Sequence, residues 1–324
     1  MTSHLFRRCR LTLVIRKPGI LTTVQDIGRI GHRSLGINPN GVMDTAAAQI
    51  VNTLLGNDEN EAVLEMHFPA PEILAEKDCS LAIGGSDFAA ELNGVPVRNW
   101  SSFLARKGDI LRFTKPSTGT RTYLTAAGGF DIEQWLGSRS TNVVAGVGGV
   151  NGRKLEASDR IELRMPAFRK EHTIGPSIIP KYSRFPTVRV IPCGEFQLLT
   201  ALSERLFVNE GFTVMKDSNR MGYRLAGPKL HLLHKKEMVS AAVTFGTIQL
   251  LPDGQLIILM ADHQTSGGYP RIANVISADL PLLAQLGPND GVSFHVVTVK
   301  EAARAAEHFE RDLCRLRTGI RLSD

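Results

Sequence analysis

The chain has 324 residues, enough for two domains of ordinary size, and its 43% hydrophobic and 22% charged content is that of a soluble globular protein. No apolar run approaches the length of a membrane span, so no membrane partner is expected. The net charge of +6 comes from dispersed Lys and Arg without interleaved aromatics, which argues against nucleic acid as a partner.

Met1 to Arg10 is basic but lacks the apolar segment of a signal peptide and reads as a frayed tail. Leu11 to Arg16 alternates apolar and polar residues and predicts a strand, broken by Pro18-Gly19. A polar loop, Thr22 to Arg33, and the turn Asn38-Pro39-Asn40-Gly41 follow. Asp44 is placed to cap a helix with Ala47, Ile50, Val51, Leu54 and Leu55 on one face, closed by Gly56. From Ala62 to Leu163 the pattern is of short strands and turns, with Asn93-Gly94 as the clearest hairpin turn. Connections this short leave no room for crossover helices, so a barrel or sandwich is expected. Four prolines, Pro166, Pro176, Pro180 and Pro186, mark a linker over 166–186 between subdomains at 11–165 and 187–299. The second subdomain begins with a strand over Thr187 to Ile191 and a helix from about Phe196 to Phe207. A helix over 300–324, rich in Ala, Glu and Arg, ends the chain. The fold class expected is mainly β with a few helices.

The most functional-looking stretch is Asp262-His263-Gln264-Thr265-Ser266-Gly267-Gly268-Tyr269-Pro270-Arg271. It follows the strand-like run Leu256 to Met260, and its polar side chains and glycines belong on a site-forming loop rather than in a core. A polar hairpin in which Asp and Arg only close a turn is the structural alternative. The four cysteines, Cys9, Cys79, Cys193 and Cys314, are far apart, which fits free thiols in the cytoplasm and gives no metal framework. His231-x-x-His234 lacks a third ligand nearby, so no metal is expected. The glycine-rich Gly146 to Gly152 lacks the Lys-Ser/Thr of a P-loop, no dinucleotide fingerprint is present, and Val214-Met215-Lys216 is not a biotin attachment site.

The two halves echo each other. Asp26-x-x-Arg29-x-Gly31-His32-Arg33-x-x-Gly36 matches Asp217-x-x-Arg220-x-Gly222-Tyr223-Arg224-x-x-Gly227 at a shift of 217 − 26 = 191. A second echo pairs Asp78 to Asp87 with Asp253 to Asp262, and a third pairs Leu104-Ala105 with Leu283-Ala284. The echoes predict two related β-rich subdomains with Asp87 and Asp262 at equivalent strand ends. The shared Asp and Arg residues then serve either as buried braces or, in one copy, as a ligand site.

Pro18 to Arg29, Gly41-Val42-Met43-Asp44, Ala127-Gly128-Gly129, Leu136 to Thr141, Asn219 to Leu225 and the 262–271 loop together resemble the carboxyltransferase subdomain A/B family. This is the family of KipA-like proteins, also called allophanate hydrolase subunit 2 or the 5-oxoprolinase C subunit. The resemblance implies two cyclophilin-like β-barrels, a KipI-like 5-oxoprolinase B subunit and an A subunit as partners, and ATP as the co-substrate of the complex. This chain departs from the usual pattern at Asn219, at His263 and Ser266, and at Pro192-Cys193-Gly194-Glu195. His263 in place of the usual Arg removes a fixed charge from the loop.

On this reading Asp262 and His263 are the acid/base candidates, and Arg220, Tyr223, Arg224, Gln264, Thr265, Tyr269 and Arg271 the binding candidates for a small amide or lactam. The expected activity is ATP-dependent cleavage of 5-oxo-L-proline by a multi-subunit complex. The alternatives are the carboxyltransferase part of a biotin-dependent urea or amide carboxylase, and a non-catalytic module that binds a KipI-like regulator. The chain carries no covalent biotin site of its own.

Overall fold

The structure is a computed structural model that describes residues 12–164, 168–234 and 238–323. Met1 to Leu11, Pro166 and the pair Lys235-Lys236 lie outside the described residues. The fold is mainly β, with four α-helices among the described residues. None of those helices is long and apolar enough to cross a membrane.

The first half stacks two sheets. One has six strands in the order Arg160–Glu162, Thr12–Lys17, Glu72–Ala75, Ile110–Phe113, Ala90–Leu92 and Val95–Pro96. The other has five, in the order Thr22–Gln25, Val63–His67, Arg121–Ala126, Cys79–Gly85 and Ser101–Ala105. Alternate residues decide what lies between them. Leu64, Leu81, Ile83 and Leu124 face the same core as Leu13, Ile15 and Ile73 of the six-stranded sheet. Their neighbours Val63, Ala82 and Tyr123 face the other way, into a core shared with the helix Thr45–Leu54. The five-stranded sheet is thus covered on both faces, and strand Cys79–Gly85 is buried throughout.

Local signals predicted several elements well. Asp44 is extended, and its carboxylate accepts a 2.9 Å bond from the Ala47 N–H, which caps the helix. Asn93 and Gly94 take φ of 52° and 84° between two antiparallel strands, as a tight hairpin turn requires. The 25-residue helix Val299–Ser323 closes the chain. Its Phe309, Leu313, Leu316 and Ile320 pack on the core around Thr45–Leu54.

The second half is a closed seven-stranded barrel. Its order is Thr187–Pro192, Arg271–Val275, Thr247–Leu250, Leu256–Leu259, Gly222–Ala226, Phe212–Val214 and Gly291–Val296. The expected helix from Phe196 to Phe207 is divided. A short 3-10 turn, Phe196–Leu198, gives way at extended Thr200, whose side chain caps the helix Ala201–Asn209 through Ser203 N–H. The proline-rich stretch is not a free tether. Ile174, Ile178, Ile179 and Tyr182 pack against the helix Thr45–Leu54, and the Tyr182 hydroxyl donates to Asp44 at 2.6 Å.

The echoes divide. Asp26 directly follows Thr22–Gln25 and Asp217 follows Phe212–Val214, and each strand is next to the one that continues its ladder, Val63–His67 or Gly222–Ala226. Counted from those first strands, however, Asp87 follows the strand in the fourth ladder position, Cys79–Gly85, and Asp262 the one in the third, Leu256–Leu259. Leu104-Ala105 lies in a strand, whereas Leu283-Ala284 lies in a helix. The equivalence expected for Asp87 and Asp262 therefore does not hold. An apolar alternation ending in Asp fits any strand that runs into a turn, so it does not fix ladder position.

Candidate functional site

The two halves meet along a polar seam. The motif Gly41 to Asp44 carries the first half across it, and Met43 enters the core of the barrel. Gly41 has φ of 99°, and a Cβ there would lie 2.9 Å from the Ile27 carbonyl carbon, so this approach needs glycine. Behind the motif, Glu65 on strand Val63–His67 accepts from Met43 N–H at 2.8 Å and from the Tyr123 hydroxyl at 2.9 Å.

Arg220, just before strand Gly222–Ala226, is the hub. Its Nε and Nη2 donate to the two Asp262 oxygens at 2.9 Å each, Nη2 also donates to Gly41 O at 2.6 Å, and Nη1 donates to Glu65. Burial works against the Arg220 charge, but the carboxylates of Asp262 and Glu65 outweigh it and raise its pKa above the ordinary arginine value. Asp262 is held further by Asn40, whose Nδ2 donates to Oδ1 at 2.8 Å, and by Asn38, which donates to its carbonyl at 2.9 Å. Asn142 in turn donates to Asn38 and Asn40. With both carboxylate oxygens taken up in this way, the geometry at Asp262 is that of the brace.

A second arginine, Arg121, crosses the seam one strand away. Its Nη1 donates to the Tyr223 hydroxyl at 3.0 Å, to Thr120 Oγ1 at 2.9 Å and to Ala284 O. The Tyr223 hydroxyl passes a 3.2 Å bond on to Leu286 O, and burial pushes its pKa up. Gln285 completes the junction by accepting from the Thr120 and Arg121 N–H groups while donating to Asp44 at 2.9 Å. Arg121, Arg220 and Tyr223 line a cavity of about 260 Å³ at this junction, together with His67 and Asn219.

The remaining expected residues lie elsewhere. Arg224, on the strand face opposite Tyr223, is exposed and pairs with Asp217 at 3.3 Å. His263 is buried, its Nδ1 is 2.5 Å from Gln264 O, and burial lowers its pKa. Gln264 is exposed and Thr265 half-buried, where the loop turns back through Ser266–Gly267 to pair with Ala241–Ala242. Tyr269 is exposed, and with Gly268 and Pro270 it borders a separate, leucine-lined cavity of about 790 Å³. Arg271 pairs with Glu195 at 2.8 Å, and that hydrogen bond raises its pKa.

The structure thus brings Arg220, Tyr223 and Asp262 to the seam and leaves the loop tip at another opening. Sequence reasoning missed Glu65, His67, Arg121 and Gln285. Only the turn Asn38 to Gly41, with two Asn flanking a proline, signalled a polar partner on the first half. Among the described residues, no group of three or more His, Cys, Asp and Glu is placed to hold a metal ion.

The fold that sets these residues, a two-sheet half against a closed barrel, is shared with solved proteins. K. lactis urea amidolyase superposes with a TM-score of 0.89 and 27% identity over 96% of this chain and 20% of that one. The chain belongs to the family described as carboxyltransferase domain, subdomain A and B, whose profile matches residues 35–296. It is 38% identical over 282 residues to the 5-oxoprolinase C subunit of Haemophilus influenzae, covering 87% of this chain and 90% of that one. To the 5-oxoprolinase C subunit of Escherichia coli it is 34% identical over 299 residues, covering 92% and 96%.

Proposed function

We propose that this chain is the C subunit of an ATP-dependent 5-oxoprolinase, a complex that opens 5-oxo-L-proline to L-glutamate with ATP hydrolysis. The observation that carries this reading is the 38% identity to a 5-oxoprolinase C subunit over nearly the whole of both chains. The partners are a KipI-like B subunit and an A subunit, and the complex works in the cytoplasm, where Cys79, Cys193 and Cys314 stay free thiols.

A lactam is a stable amide, so ATP supplies the driving force by activating its carbonyl oxygen. The chain's own part is to present fixed cations and donors to an anionic substrate or intermediate. Its glycine-rich segment does not fit a triphosphate. Gly146, Gly149 and Gly152 N–H already donate to Asn142, Arg139 and Gly148 carbonyls, so these amides offer no cradle for phosphates. That supports an ATP site elsewhere on the complex, not wholly on this chain.

The second reading, carboxyl transfer onto urea or a related amide, is favoured by the superposition on K. lactis urea amidolyase. The two separate in one experiment. The chain is reconstituted with the A and B subunits, and separately with a biotin carboxylase and a biotin carrier, and ADP release is followed with 5-oxo-L-proline or with urea plus bicarbonate. The proposal expects release driven by 5-oxo-L-proline in the first mixture. Release driven only by urea in the second would replace it with the carboxylase reading.

A further inference from the structure

The seam cavity is electrostatically lopsided. Two arginines and a histidine line it and no Asp or Glu does. Glu65 is the nearest carboxylate to Arg121, but its Oε1 is 3.8 Å from Arg121 Nε, too long for a hydrogen bond, and that carboxylate is already engaged by Arg220, Met43 and Tyr123. Every hydrogen bond that the Arg121 guanidinium donates to the described residues leaves from Nη1. Nε is buried without an acceptor, and Arg121 as a whole is 4% exposed. A cation this deeply buried is costly when its N–H groups are left unmatched.

His67 has the complementary defect. Its Nε2 is also buried without a hydrogen-bond partner, and it lines the same cavity. Burial, helped by the nearby charges of Arg121 and Arg220, holds its pKa well below the ordinary histidine value, so the ring is neutral and can offer a single N–H. Asn219 adds donors, because its Oδ1 is taken by the Met221 N–H and its amide N–H groups remain. Leu21, Val214, Leu286 and Pro288 supply the apolar part of the lining. A volume of about 260 Å³ suits a compact body of one ring.

We propose that this cavity binds a small monocarboxylate with a compact apolar or cyclic body, its carboxylate held by Arg121 and His67 and its body against the apolar part of the lining. The choice of 5-oxo-L-proline as the natural ligand rests on the 5-oxoprolinase reading; the carboxylate class does not. Such a ligand supplies the hydrogen-bond acceptor that both buried groups lack. A neutral lactam or urea offers Arg121 only an uncharged carbonyl acceptor, a weaker partner than a carboxylate, so the site discriminates by charge rather than by the amide.

Calorimetric titration of the full chain tests this with 5-oxo-L-proline, cyclopentanecarboxylate, 2-pyrrolidinone and inorganic phosphate as probes. Both carboxylates are expected to bind, with 2-pyrrolidinone and phosphate at least about tenfold weaker. His67→Leu should weaken both carboxylates by about tenfold or more. Should that variant fold poorly, the wild-type His67 ring signals serve instead, and they are expected to move with either carboxylate and not with 2-pyrrolidinone. Binding of 2-pyrrolidinone as tight as that of 5-oxo-L-proline, a preference for phosphate, unchanged affinity in His67→Leu, or ring signals indifferent to carboxylate would each overturn the site. A complex that hydrolyses 5-oxo-L-proline while the cavity ignores carboxylates would sink this inference and leave the function standing. Carboxylate binding in a chain whose complex lacks that activity would do the reverse.

Discussion

Arg220 and Asp262 stand 42 residues apart and are joined by two parallel 2.9 Å hydrogen bonds, the geometry of a bidentate ion pair. The pair is nearly buried, with both side chains 11% exposed, and through Gly41, Glu65 and Asn40 it reaches into the first half of the chain. Its first consequence is mechanical. It fixes the seam, and with it the wall of the cavity beside Tyr223.

Asp262→Asn is therefore expected to destabilise the protein by roughly 3–5 kcal/mol, because it leaves Arg220 with one buried carboxylate in place of two. Urea denaturation of the wild type and the variant measures this. An unchanged unfolding midpoint with a hundredfold loss of activity in the reconstituted complex would instead make Asp262 an acid/base residue.

Asp44 carries a pH signature. Burial raises its pKa from 3.8 to about 6, against the hydrogen bonds from Tyr182, Gln285 and Ala47. The folded state thus holds this proton more tightly than the unfolded state. The stability this adds is fully present below 3.8 and is lost as pH rises through about 6. The swing is roughly 3 kcal/mol. Asp44→Asn cannot titrate, so the stability difference between wild type and variant should shift by that amount across this window, in the direction of a less stable wild type at the higher pH. A difference that stays constant with pH would contradict the account.

Gly41→Ala tests the crossing between the halves. The position combines φ of 99° with room for a Cβ only 2.9 Å from the Ile27 carbonyl, and its own carbonyl accepts from Arg220. A loss of about 1–3 kcal/mol is expected from the backbone strain alone. A melting temperature equal to that of the wild type would show that the seam tolerates a different backbone path.

Elements with local causes were legible in the sequence. The Asp44 cap, the Asn93-Gly94 turn and the alternation of the short strands each depend on a few neighbouring residues, and each appears where expected. The family motifs likewise marked Arg220 and the segment Gly41 to Asp44. The partners of Arg220 were not legible, because Glu65 lies 155 residues away and nothing in its strand distinguishes it from an exposed glutamate. Arg121 and His67 were hidden for the same reason. Each is a single charged or polar residue at a strand end, and its burial depends on how the barrel docks. The 262–271 loop illustrates the opposite error. Its composition grouped residues that the chain then sends to different places, Asp262 to the seam and Tyr269 to the leucine-lined opening.

The most direct test of the central claim is an omission assay on the reconstituted complex. ADP release and glutamate formation from 5-oxo-L-proline are followed with the A and B subunits alone, with this chain alone, and with all three. The account predicts that both products form together only in the full mixture. Equal turnover by the A and B subunits without this chain, or full turnover by this chain alone, would contradict it.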